Sequence, residues 1–335
     1  MAAGQSNSNL ARQTNAATTP RRRCTASLGR PVAIVRKLRP GLAAGPRKPA
    51  ITFQKILIIG APRSGTNMLR DLMARLDGAG TWPCDEINHV WRHGNIRHPS
   101  DALPPGLARP GVIRYISGQF ARLAASRGLD TVIEKTCANS LRVPFVDRVI
   151  DDARYVYIVR DGVDAAASAA RRWHAGLDIG YRLSKARFVP PTDFPYYLIR
   201  FLGNQLQRFG ARGRPANSWG PVFDGMAEAQ REASTLGICA RQWRACVEAA
   251  SAALAGLPAR RVHRVRYEEF VGDPVREFGR IADFAGKAMP DALVSDLRRE
   301  VSVASRGRGR SELNAEDLAL VLGIAGPALA AHGYG

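Results

Sequence analysis

Regular hydrophobic patterning begins near Lys55; before it the chain is polar and rich in Ser, Thr, Ala and Arg, with no period. From Lys55 short apolar runs alternate with amphipathic stretches, the pattern of βαβ units building a largely parallel sheet. "KILIIG" (55–60) reads as a buried strand. Met68, Leu69, Leu72, Met73 and Leu76 then recur at helical spacing, so a helix starts near Gly65 or Thr66. A second strand is expected near "GTWPC" (80–84), followed by irregular Pro- and Gly-bearing sequence to about Gly111. "DTVIEKT" (130–136) predicts a third strand and "PFVDRVIDD" (144–152) a short helix whose Pro144 suits a first turn. "RYVYIVR" (154–160) is the clearest central strand, and "DGVDAAASAARRW" (161–173) the helix after it, with Asp161 as N-cap.

Residues 174–225, with "FVPPTDFPYY" and "GARGRPANSWGPVFDG", break this rhythm and read as an insertion or lid. A long helix is expected through "AQREASTLGICARQWRACVEAASAAL" (229–254), and "RVHRVRYEEF" (261–270) as a late strand. The chain ends in helices within 273–286 and 314–331, separated by the basic turn "SRGRGR" (305–310). The fold class is therefore α/β, a parallel sheet flanked by helices.

The 335 residues carry a formal net charge of +20, unevenly spread. Ten of the 49 basic residues and none of the 29 acidic ones lie in residues 1–50, a segment too poor in apolar surface to offset its ordering entropy. It reads as a disordered basic tail, a solvated arm before one domain over 51–335. An Arg-rich, acid-free tail also suits a transit peptide or a nucleic-acid arm. The tail lacks a secretory signal's apolar stretch, and no uninterrupted apolar run is long enough for a membrane span. The five cysteines form no CxxC pair and no disulfide framework, so a cytoplasmic location is expected.

Candidate chemistry begins at "GAPRSGTNMLR" (60–70). Gly60, Gly65 and Thr66 occupy the frame of a phosphate-binding loop that lacks its lysine, with Arg63 inside the loop instead. A helix start still favours an anion, and a guanidinium fork matches phosphate or sulfate oxygens. Arg160, at the carboxyl end of a strand, and Ser168, two helical turns on, sit at the edge where such sheets bind ligands. Two anion sites suit a nucleotide with phosphates at both ends.

At these two motifs together the sequence resembles the sulfotransferase family, whose donor is 3′-phosphoadenosine 5′-phosphosulfate. "APRSGTNMLR" is similar to the family's 5′-phosphosulfate loop and "YIVRDGVDAAASA" to its 3′-phosphate motif. "IEKTCANS", "VRYEEFVGDP" and the closing "SRGRGRSELNAED" with "HGYG" follow in the family's order. The resemblance covers about 54–335 and implies a P-loop NTPase-like sulfotransferase fold. It assigns Arg63, Ser64, Gly65, Thr66 and Asn67 to the 5′-phosphosulfate, Arg160 and Ser168 to the 3′-phosphate, and Tyr267 and Ser305 to the nucleotide. Arg308 and Arg310 add charge to the closing turn, although this chain has Gly309 where the family often has Trp. Lys135 matches the lysine near the bridging oxygen, and Glu86 the general base in several branches. Other branches use a His, so His89 and His93 stay open as bases, with Asp85 behind them.

Implied is transfer of a sulfuryl group to an acceptor hydroxyl, a carbohydrate being slightly preferred over a tyrosine or a small metabolite. No metal is required: Cys84, Asp85, His89, His93 and His98 fit no zinc spacing closely. Trp219 is the tryptophan best placed in sequence to face a ligand. A P-loop kinase or hydrolase is opposed by the missing lysine and the lack of a clear Mg²⁺-binding aspartate. A nucleic-acid binder is opposed by the absence of any recognition motif, half the charge excess lying in the tail.

Overall fold

The strands lie in the order β2-β3-β1-β4-β5, all parallel. They are β1 Gln54–Ile59, β2 Ala79–Gly80, β3 Thr131–Lys135, β4 Arg154–Val159 and β5 Val262–Arg266. The computed structural model describes residues 52–174, 192–193 and 219–335, and the tail (1–50) and most of the 174–225 insertion lie outside the described residues. Residues 49–335 belong to one compact unit. Helices are numbered among the described residues: α1 Thr66–Met73, α2 Asn88–Trp91, α3 Pro110–Arg127, α4 Val143–Val149, α5 Gly162–His174, α6 Met226–Glu232, α7 Thr235–Ala255, α8 Tyr267–Gly272, α9 Pro274–Ala285, α10 Asp291–Glu300, α11 Arg308–Glu312 and α12 Ala315–Ala331.

The apolar run of β1 is continuous because both faces of the sheet are covered. Ile56 and Ile58 point to the layer that also buries Leu69, Leu72, Phe270, Phe278 and Ile281, from α1, α8 and α9. Leu57 and Ile59 point the other way, among residues of α3, α4, α5, α7 and α12. The period-2 alternation of a strand thus feeds two helical layers, each fully buried Ile or Leu contributing about 1.5–3 kcal/mol.

The register aligns the carboxyl ends. Ile58 pairs with Lys135, Ile59 with Tyr157, and Val159 with Arg266. Four strands therefore deliver the Gly60–Thr66 loop, Lys135, Arg160 and Tyr267 to one edge. Connections from β1 leave in both directions, so this edge is the switch point where open α/β sheets bind ligands.

Several expected elements are shifted. The strand expected near "GTWPC" is the two-residue β2, which overlaps that stretch at Gly80. The long helix through 229–254 is two helices: the chain breaks at Ala233 and Ser234, whose hydroxyl caps α7 by accepting the Gly237 N–H at 3.1 Å. The strand within 261–270 stops at Arg266, and Tyr267 begins α8. The "SRGRGR" turn contains α11, a short helix of its own. Both α3, 18 residues long, and α10 fall in sequence to which no helix had been assigned. Asp161 caps α5 as expected, accepting the Val163 N–H at 2.8 Å. Among the described residues no single helix is long and apolar enough to cross a membrane.

Candidate active site

The loop between β1 and α1 is built on glycine at both ends. A side chain at Gly60 would meet the Ile158 carbonyl and Thr66 at 2.8 Å, and one at Gly65, whose φ is +87°, would meet the Tyr267 ring at 2.7 Å. Gly60 donates its N–H to Ser140 Oγ at 3.1 Å. Arg63 adopts φ 67°, a left-handed conformation costing a non-glycine residue about 1–2 kcal/mol. Two contacts hold it there: its carbonyl accepts from Arg160 Nη1 at 3.0 Å, and its Nε donates to Ser168 Oγ at 3.0 Å. Residues separated by about a hundred positions thereby join the two anion motifs.

Arg160 is buried and is fixed from several sides. It donates to the Ser305 carbonyl at 2.6 Å, lies 3.6 Å from Asp164, and stacks over the Tyr267 ring at 4.5 Å. Its own carbonyl accepts from Trp243 Nε1 at 3.2 Å, and Trp243 packs so closely on Gly162 that a side chain there would meet the indole at 2.7 Å. Tyr267 and Ser305 share a hydroxyl–hydroxyl hydrogen bond of 2.6 Å. Partial burial, and then the nearby charges of Arg160, Arg172 and Arg171, push the Arg63 pKa down.

Two buried polar atoms at this edge, Ser64 Oγ and Arg160 Nε, have no hydrogen-bond partner among the described residues. Buried polar atoms are rarely left so without a ligand or water to satisfy them. With the glycine-lined cradle, they fit a phosphate- and sulfate-bearing nucleotide. Asn67 is exposed on α1, and Thr66 is buried with Oγ1 3.6 Å from Cys137 Sγ.

Across β1 lies the second half. Lys135 is buried at the end of β3, and its Nζ donates to Glu86 Oε1 at 2.9 Å. The same oxygen accepts the Cys137 N–H at 3.3 Å. Burial opposes the lysine's charge, but Glu86 outweighs it and the net shift of the Lys135 pKa is upward, so the ammonium is retained. The loop after Glu86 is pinned to β3 by the Ile87 N–H, which donates to Thr136 Oγ1 at 3.2 Å. Beneath it, Arg142 is fully buried and reaches Asn139 at 2.9 Å and Asn88 at 2.5 Å. Asp101 accepts from Asn88, Arg92 and the Val222 N–H.

The other candidates are dispersed. His89 lies half-buried on α2. His93 bonds Asp193 Oδ2 through Nδ1 at 2.8 Å and stacks on Tyr115 with 3.8 Å between centroids, and His98 Nδ1 lies 3.0 Å from the Ser100 carbonyl. Asp85 sits 3.6 Å from Arg70. Arg308 is exposed and pairs with Glu312, which also pairs with Arg171 of α5. Arg310 bonds Asp161 at 2.9 Å and the Tyr334 carbonyl at 2.8 Å. Trp219 packs on the main core, its carbonyl accepting from Gln242 at 2.9 Å.

Asp164 carries a role not assigned from sequence. Its carboxylate accepts the N–H groups of Gly307 at 2.7 Å and Gly309 at 2.6 Å, tying the closing segment to α5. A side chain at Gly309 would meet the Asp164 backbone at 2.7 Å. That contact is the reason glycine stands where a tryptophan was expected. The only hint in the sequence is an acid in the first turn of α5, which the helix dipole also explains.

A sequence profile of the sulfotransferase family matches residues 55–193 and 219–291. Similar solved structures include the sulfotransferase domain of the Synechococcus PCC 7002 olefin synthase (16% identity, 84% of this chain and 98% of that one, TM-score 0.48). Others are sulfotransferase STF9 from Mycobacterium avium (14%, 84% and 77%, TM-score 0.46) and mouse sulfotransferase SULT7A1 complexed with PAP (16%, 80% and 71%, TM-score 0.39). A comparison with curated protein sequences gives no match.

Proposed function

Because the chain belongs to the sulfotransferase family and is a transferase enzyme, we propose that it moves a sulfuryl group from 3′-phosphoadenosine 5′-phosphosulfate to an acceptor hydroxyl. The observation that carries this reading is the meeting of Arg63, Ser168, Arg160, Tyr267 and Ser305 at the edge where β3 also presents Lys135, paired there with Glu86 from the loop before α2.

Gly60 to Asn67 would hold the donor's 5′ end and Arg160 with Ser168 its 3′-phosphate. In the transfer the acceptor oxygen forms a bond to sulfur while the bond from sulfur to the bridging phosphate oxygen breaks, leaving adenosine 3′,5′-bisphosphate. Glu86 takes the acceptor's proton. Lys135 and Arg63 oppose the charge that grows on the departing oxygen, the kind of fixed electrostatic stabilisation that supplies most of the barrier reduction in such transfers. The Glu86–Lys135 ion pair favours this assignment over His89 or His93: it delivers a carboxylate and an ammonium to the same spot. A carbohydrate is the preferred acceptor class, by fold-level analogy.

The test is replacement of the base. Glu86→Gln retains nucleotide binding and lowers kcat roughly 10²- to 10⁴-fold, measured with labelled donor. If Glu86→Gln transfers at the wild-type rate while His89→Ala or His93→Ala does not, the base is a histidine instead.

A further inference from the structure

Arg160 stands between β4, which ends at Val159, and α5, which begins at Gly162. The backbone polar atoms of such a junction need partners from elsewhere in the fold, and here side chains from three other segments supply them. The Arg160 carbonyl accepts from Trp243 Nε1 at 3.2 Å, the Asp161 N–H donates to Glu268 Oε1 at 3.0 Å, and the Val159 carbonyl lies 3.2 Å from the Tyr334 hydroxyl.

Tyr334, just beyond α12, is buried and reaches this junction twice. Its hydroxyl makes a 2.6 Å bond to Glu268 Oε2, so one carboxylate holds the Asp161 N–H on one oxygen and Tyr334 on the other. Its carbonyl accepts from Arg310 Nη2 at 2.8 Å, and Arg310 Nε donates to Asp161 Oδ2 at 2.9 Å. Tyr334, Glu268, Asp161 and Arg310 thus close a ring of hydrogen bonds that ties the residue beside Arg160 to α8 and α11. The ring is seated on β5: the Arg266 guanidinium lies 4.7 Å from the Tyr334 ring and donates to the Gly333 carbonyl at 3.1 Å. Burial, then the bond to Glu268 and its charge, push the Tyr334 pKa up, which keeps the hydroxyl a donor.

Packing after α12 would be the ordinary explanation of Tyr334, but a buried tyrosine that only packs needs one partner for its hydroxyl. Here the hydroxyl and the carbonyl both go to the segments that frame Arg160, and only the N–H turns back to α12, donating to the Leu329 carbonyl at 2.9 Å. The Arg160 side chain gains from a fixed backbone. Its Nη1 and Nη2 already donate to the Arg63 and Ser305 carbonyls, and its buried Nε has no partner among the described residues. Recognition of phosphate by a guanidinium depends on geometry, and where geometry governs, a misplacement of about 1 Å costs on the order of 10²-fold.

Resting on the reading that Arg160 holds the donor's 3′-phosphate, we propose that Tyr334 is a positioning residue for it: with Glu268, Asp161 and Arg310 it fixes the backbone of Arg160 and so aims the guanidinium at that phosphate.

Titration calorimetry with two nucleotides separates aiming from general support, since adenosine 3′,5′-bisphosphate carries the phosphate in question and adenosine 5′-phosphate lacks it. Tyr334→Phe keeps the ring on Arg266 and removes only the hydroxyl. It should bind the bisphosphate at least about tenfold more weakly while its affinity for adenosine 5′-phosphate stays within about twofold of the wild type. Glu268→Ala, at a half-buried position on α8, removes the carboxylate that Asp161 and Tyr334 share and should show the same selective loss, so the test stands even where Tyr334→Phe does not fold. Equal losses for both nucleotides in variants with the wild-type melting temperature overturn the proposal, because a merely structural support acts on both; unchanged affinity for the bisphosphate overturns it too. A wild type that binds the two nucleotides equally removes the 3′-phosphate reading of Arg160 and the proposal with it, whereas a wild type that prefers the bisphosphate leaves that reading standing whatever the variants do.

Discussion

Arg160 is the residue on which the donor half of the site converges, since it bridges the Arg63 carbonyl, the Ser305 carbonyl, Asp164 and the Tyr267 ring. Charge-assisted contacts to phosphate are worth about 1.5–3 kcal/mol, so Arg160→Ala should weaken adenosine 3′,5′-bisphosphate binding roughly 10- to 100-fold by calorimetry. Periodicity placed Arg160 at a strand end, but only the family resemblance set Ser305 and the closing turn at the same nucleotide, because the Arg160–Ser305 contact spans 145 residues and depends on how the chain returns. Glu134 supports a second prediction. It is fully buried and burial, the largest influence, raises its pKa from 4.5 to about 7, although hydrogen bonds from Thr136 and Trp91 and the charges of Lys135 and Arg142 pull the other way. A carboxyl whose folded pKa is raised holds more protons in the folded state than in the unfolded one, so stability is full below the unfolded value and declines as pH rises from about 4.5 to 7. The decline is on the order of 3 kcal/mol. Melting temperatures across this range should fall for the wild type and flatten for Glu134→Gln; parallel curves for the two proteins would contradict this.

Among elements, α11 and the segment before it are tied to α5 through Asp164 and to Arg160 through the Ser305 carbonyl. Gly309→Val drives a side chain into the Asp164 backbone and should displace residues 305–312 from α5. The expected result is nucleotide affinity lowered at least about tenfold, with far-UV circular dichroism unchanged. By contrast Ser234→Ala removes the cap of α7, far from the Arg63–Lys135 edge in role, and should cost about 1 kcal/mol in urea denaturation without touching nucleotide affinity. The helix–strand rhythm of β1, α1, β3, α4, β4 and α5 was legible because each carries an uninterrupted apolar run or a clear 3.6-residue period. The break at Ser234 was not, because apolar positions keep helical spacing across it and only the serine's side-chain bond to Gly237 ends one helix and begins the next. α3 was missed for a related reason: Gly111 and Gly118 dilute its period, and its buried face of Val112, Ile116, Phe120 and Ala124 shows only against β3 and α4.

In the whole molecule, a parallel sheet with helices on both faces brings two motifs, read separately in the sequence, to one carboxyl edge. The register that sets Ile58 beside Lys135 and Ile59 beside Tyr157 does this work, and no local pattern encodes it. The Gly60–Gly65 loop and the arginine that meets it were legible in the sequence because glycine is required by the close approaches at both ends of the loop and Arg160 follows directly on a clear strand. The supports beneath them, Asp101 with Arg142 and Asp164 with the Gly309 amide, are ordinary residue types whose meaning is three-dimensional. The central claim is that Arg63 and Arg160 form one nucleotide site, and titration calorimetry of adenosine 3′,5′-bisphosphate in the presence of EDTA tests it most directly. Saturable metal-independent binding by the wild type, weakened at least tenfold in both Arg63→Ala and Arg160→Ala, is the predicted result; no binding, or equal binding by all three proteins, would contradict it.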